Sequence, residues 1–155
     1  MRIATSRGSW AGSNARESGK TKRRLQMAGL CIVFVWFFFG GIAHFLFTDA
    51  LLGIVPPYVP YPLAAIYLSG VLELLGSIAI LPRRTRTAAG NGLILLTICV
   101  TPANLYMWMN PQLFPRISET VLGLRLLIQV LLIGCIWWST RQVAHTRKWK
   151  SDFWS

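Results

Sequence analysis

Acidic residues are scarce in this chain. Five Asp and Glu stand against 16 Lys and Arg, and only 14% of all residues are charged. A water-soluble domain typically carries about 25% charge, so composition argues against one. Cysteine is nearly absent as well. Cys31, Cys99 and Cys135 are odd in number, far apart and include no C-x-x-C pair. That excludes dithiol exchange of the usual membrane type and leaves them as small hydrophobes. Two histidines, His44 and His145, make no metal cluster, and no glycine-rich phosphate loop is present. The formal net charge of +11 suggests nucleic acid at first sight. A nucleic-acid site, however, wants a basic face on a folded domain. Here the basic residues form three short blocks, each flanking an apolar stretch, so no nucleic-acid partner is expected.

What the chain has in abundance is apolar sequence, at 54% of residues with a mean hydropathy of +0.48. Residues 1–27 are polar and Ser/Gly-rich and read as a basic, flexible cytoplasmic tail. The run MAGLCIVFVWFFFGGIAHFLF (27–47) is long enough to cross about 30 Å of hydrocarbon. Its apolar core exceeds a signal-peptide h-region and no A-x-A site follows, so it reads as a first transmembrane helix. Three more spans follow, at about 62–81, 88–108 and 120–140. Together they form a 28–140 membrane domain, followed by a basic, aromatic cytoplasmic tail at 141–155 suited to the interface. The first connection, TDALLGIVPPYVPY, holds Pro56, Pro57 and Pro60, which lack an amide donor and turn their preceding residues away from helix. Pro62 suits the first turn of the second span.

Orientation follows from Lys and Arg. Seven lie in the N-terminal tail, three in the 82–87 turn and four in the C-terminal tail, whereas the two remaining loops hold only Arg116. The positive-inside rule then predicts both termini in the cytoplasm of a multi-pass protein of the inner or plasma membrane. Short connections make successive helices neighbours. The predicted fold is all-α, an integral membrane antiparallel four-helix bundle.

Ionisable side chains inside the spans are His44, Glu73 and Arg125. Each costs about 2–3 kcal/mol or more at the bilayer centre, so each should face the bundle interior and find a partner. At 1.5 Å per residue, His44 and Asn104 lie roughly 5 Å below the outer boundary, Arg125 roughly 8 Å, and Gln129 and Glu73 roughly 14–16 Å. All five fall in the outer half, spread over four helices. The sequence predicts a network in which Arg125 pairs with Glu73 while His44, Asn104 and Gln129 add hydrogen bonds. Such a cluster fixes helix register, lines a small-molecule or proton-handling pocket with Pro56 and Pro57 at its outer mouth, or pairs with a partner protein's helix. Pro102, inside the third span, should free the Ile98 carbonyl near that pocket. No residue stands out as catalytic and no metal or cofactor is demanded; His44 and His145 fall on opposite sides of the membrane.

The segments FGGIAHF (39–45), IVPPYVP (54–60), SGVLELLG (69–76), TPANLYM (101–107) and LRLLIQ (124–129) together resemble the DoxX-like family of small bacterial membrane proteins. The resemblance covers nearly the whole chain beyond the basic tail. It implies a four-span bundle and a shared buried site at His44, Pro56, Pro57, Glu73, Asn104 and Arg125, without assigning a reaction. Its namesakes are associated with a quinone-linked thiosulfate-oxidising system, other relatives with membrane redox complexes, and distant ones resemble chaperones of membrane proteins. The expectation is an accessory or quinone-interacting subunit of a membrane redox or stress pathway, with a quinone as candidate ligand, and not an enzyme on its own. Two other readings stay open: an assembly factor for a client membrane protein, and a small-solute or proton carrier in which Glu73 changes protonation.

Overall fold

The computed structural model describes residues 7–115 and 117–141, with side chains described from Glu17 onward. Its elements are α1 (Arg7–Leu46), a one-turn α2 (Thr48–Leu52), α3 (Pro62–Ala79), α4 (Arg86–Met109), a 3₁₀ turn (Pro111–Leu113) and α5 (Glu119–Thr140). No strand occurs among the described residues. Glu17–Leu46 of α1 and the whole of α3, α4 and α5 are long and apolar enough to cross a membrane. The predicted spans therefore coincide with helices to within about two residues, except at the start of α1.

There the helix begins at Arg7, where the sequence reading expects a flexible tail. The physical reason is propagation: once a membrane helix is nucleated, each added residue costs little. The stretch ARESGKTKRRLQ is also rich in good helix formers. The basic, aromatic tail beyond Arg141 lies outside the described residues.

Local signals set the other ends. Pro62 occupies the first turn of α3, preceded by Tyr61 in the left-handed region at φ 53°. A non-glycine residue held there costs about 1–2 kcal/mol, and the pre-proline position disfavours the right-handed alternative. Ser118 caps α5 by accepting from the Val121 amide at 3.4 Å. The arginine turn ties off α3: Arg86 Nε donates to Ile80 O at 2.9 Å and Arg86 Nη2 to Leu81 O at 2.8 Å. Thr85 Oγ1 donates to Ala79 O at 2.6 Å. These satisfy carbonyls that a helix end leaves without partners.

The four long helices form a ring in which α1 and α4 each pack on α3 and α5. Packing is most extensive within two hairpins, α1/α3 and α4/α5, whose members are joined through the proline loop and the 110–118 connection. The hairpins meet at the end of the bundle that carries the arginine turn. Leu30, Val33, Phe37, Ile80, Leu93, Leu132 and Ile136 form one buried cluster there. Glycines let the backbones close in. A Cβ on Gly29 would stand 3.0 Å from Ser139 Cβ, one on Gly76 would collide with Leu93, and one on Gly90 with Thr140.

Candidate functional site

Toward the opposite end, carrying the proline loop, the hairpins separate around a cavity of about 750 Å³. All five polar residues singled out from sequence line it: His44, Glu73, Asn104, Arg125 and Gln129. Trp36 and Phe39 of α1 also line it while being 50% and 62% exposed, so the cavity reaches the flank of the bundle instead of being sealed. Pro56 is buried and lines the cavity, whereas Pro57 is exposed and does not. Of the two prolines expected at the mouth, one covers the site.

The polar side chains pair differently from the sequence expectation. Arg125 does not form an ion pair with Glu73. Glu73 Oε1 lies 3.5 Å from His44 Nε2. Arg125 donates to Asn104 Oδ1 through Nε at 3.2 Å and Nη2 at 3.0 Å. The reason is topological: α3 and α5 face each other across the ring with the cavity between them. Each polar pair closes inside its own hairpin, His44–Glu73 between α1 and α3, Asn104–Arg125 between α4 and α5.

Around the first pair, His44 Nδ1 lies 2.9 Å from Ile66 O and 2.9 Å from Ser69 Oγ, and Ser69 Oγ donates to the same carbonyl at 2.9 Å. Nδ1 is thus the edge turned toward the Ile66 carbonyl and the Ser69 hydroxyl, and Nε2 the edge turned toward Glu73. Gly40 completes the arrangement: a Cβ there would stand 2.8 Å from Glu73 Oε2. The missing side chain leaves the room the carboxylate fills. Gly41 and Gly70 allow the same close approach, since a Cβ on Gly70 would stand 2.7 Å from His44 Cβ.

Gln129 sits at the floor. Its Nε2 donates to Thr97 O at 3.4 Å, while its buried Oε1 has no hydrogen-bond partner. An unsatisfied buried polar atom costs about 1–3 kcal/mol. Thr97 and Thr101 turn their hydroxyls back onto α4, donating to Leu93 O and Thr97 O at 2.8 Å each. Helix α4 continues through Pro102. Pro102, Thr97 and Cys99 line the cavity, while Ile98 between the last two does not.

Sequence reasoning singled out the polar members of the cluster without giving Gly40 or the Ile66 carbonyl a part in holding them. Gly40 stands one turn before His44 and Ser69 one turn before Glu73, with Ile66 about one turn before Ser69. The signal was the four-residue spacing itself, Gly40 to His44 and Ser69 to Glu73, which puts each pair on one helix face. No group of three or more metal-ligating side chains occurs among the described residues.

Compared with known proteins, residues 27–140 match a domain of unknown function, DUF8561, over most of the chain. No curated protein and no solved structure matches it.

Proposed function

The chain belongs to the DUF8561 family, and on that premise we propose that it is a DoxX-like accessory membrane protein that holds a lipophile between its two hairpins. A quinone is one molecule of the right kind: a hydrophobic body with carbonyl acceptors that need donors. The observation that carries the reading is the cavity of about 750 Å³, apolar over most of its wall, with Arg125 and Asn104 gathered on one side. Its size lies within the range of roughly 300–1,000 Å³ of small-molecule sites. Asn104 spends Oδ1 on Arg125 and keeps its amide hydrogens for a ligand. The exposed, lining residues Trp36 and Phe39 offer entry from the acyl-chain region.

In this reading the protein is a binding subunit of a redox or stress pathway and not an enzyme by itself. It sits in the inner or plasma membrane with both termini in the cytoplasm, as fourteen basic residues in the sequence of the two tails and the 82–87 turn against one in the other two loops favour. The cavity then opens toward the outer leaflet. The test is native mass spectrometry of protein extracted gently from its own membranes. A stoichiometric lipophile, lost from a folded Arg125→Ala variant, is the expected result. Recovery with a stoichiometric protein partner and no small molecule would replace this reading with that of an assembly factor.

A further inference from the structure

His44, Glu73 and Arg125 line the cavity, and of the three only Arg125 lacks a partner of opposite charge. In the first hairpin Glu73 Oε1 lies 3.5 Å from His44 Nε2, so the carboxylate has its partner on α1. In the second hairpin the Arg125 guanidinium stays charged, and its partner Asn104 is neutral. The other acids described at this end, Asp49 and Glu119, are exposed and outside the cavity lining. The Arg125 guanidinium thus has no acidic partner at ion-pair distance among the described residues. Charges taken out of water need such a partner.

We infer that the missing counter-charge belongs to the ligand: the cavity takes an amphiphile with an anionic headgroup, seated against Arg125 with its chain along the apolar wall. This rests on the lipophile reading above and narrows it to charged molecules. Two of the five guanidinium N–H groups go to Asn104, which leaves three for an oxyanion. Charge-assisted bonds of this kind are about twice as strong as neutral ones. A small inorganic anion would leave most of the apolar volume unfilled, including the wall formed by Phe37, Ala43 and Leu132. Glu73 is engaged by His44 in its own hairpin and does not pair with Arg125.

The test uses the full chain in nanodiscs of neutral phosphatidylcholine at pH 7. Three probes are titrated: hexadecyl phosphate, hexadecanol as its uncharged counterpart, and inorganic phosphate as the anion without a chain. Hexadecyl phosphate should bind at least about tenfold more tightly than hexadecanol, a difference of about 1.4 kcal/mol. Inorganic phosphate should not compete at equal concentration. Arg125→Gln should abolish the preference for the phosphate ester over the alcohol, and Arg125→Lys should keep part of it. Equal binding of ester and alcohol to the native chain, or a neutral quinone as the stoichiometric occupant, overturns the anionic assignment while the lipophile reading stands. Competition by inorganic phosphate makes the site one for a free anion and overturns the amphiphile. Binding of neither chain-bearing probe overturns both readings.

Discussion

The two ends of this bundle are built from the same four helices by opposite rules. At the arginine end the hairpins touch through small residues, and Val33, Ile80 and Ile136 have no exposed surface. At the proline end each hairpin is closed on itself by a polar pair, and between them lies the cavity. The contrast teaches where specificity resides in a small membrane protein. Lipid offers no hydrophobic gain for helix association, so close packing at small residues must hold the fold. Holding it at one end leaves the other end available for a ligand.

Matched substitutions in the two halves would break this comparison if it is wrong. The largest effect is expected for Gly90→Val, whose side chain would run into the buried Thr140. It should destabilise the bundle by about 1–3 kcal/mol, as overpacking does, read as a lower unfolding midpoint in mild detergent. An unchanged midpoint would mean that the arginine end is not the tight one. Next comes Gln129→Leu, which removes the unpartnered Oε1 along with a 3.4 Å bond to Thr97 O. The gain from deleting a buried orphan outweighs the loss of one long bond. The variant should be more stable by about 1 kcal/mol, and a clear loss would show that Oε1 has a partner in the membrane. The smallest effect is expected for Ala103→Leu, which adds volume where there is space. Its midpoint should move by less than about 0.5 kcal/mol while binding of hexadecyl phosphate weakens. A large fall in stability there would mean that the proline end is packed as tightly as the other.

Much of the fold was legible because a bilayer makes simple demands. Apolar runs long enough to cross it, punctuated by Pro62, the arginine turn and Ser118, left little choice of element. The membership of the site was legible for a related reason: His44, Glu73 and Arg125 are costly in hydrocarbon and had to point inward. Their pairing was not legible. It depends on which helices lie side by side and which lie across the ring, and short connections of this kind fit either handedness of an antiparallel bundle. Glu73 and Arg125 both fall in the outer half of the membrane, and their opposite charges favoured joining them. The helical start of α1 was hidden for another reason. Its polar composition resembles that of a disordered segment, and only attachment to a membrane helix decides otherwise.

The glycine contacts at the arginine end also have a mechanical meaning. Two stiff hairpins clamped at one end behave as the arms of a pair of tweezers. From Gly90 to Asn104 is about 21 Å of helix at 1.5 Å per residue. A tilt of about 5° at the clamp therefore carries the far tip by about 2 Å over that length. Each arm keeps its own polar pair intact during such a movement, since neither pair bridges the gap. Such a tilt would change the width of the cavity without breaking either polar pair.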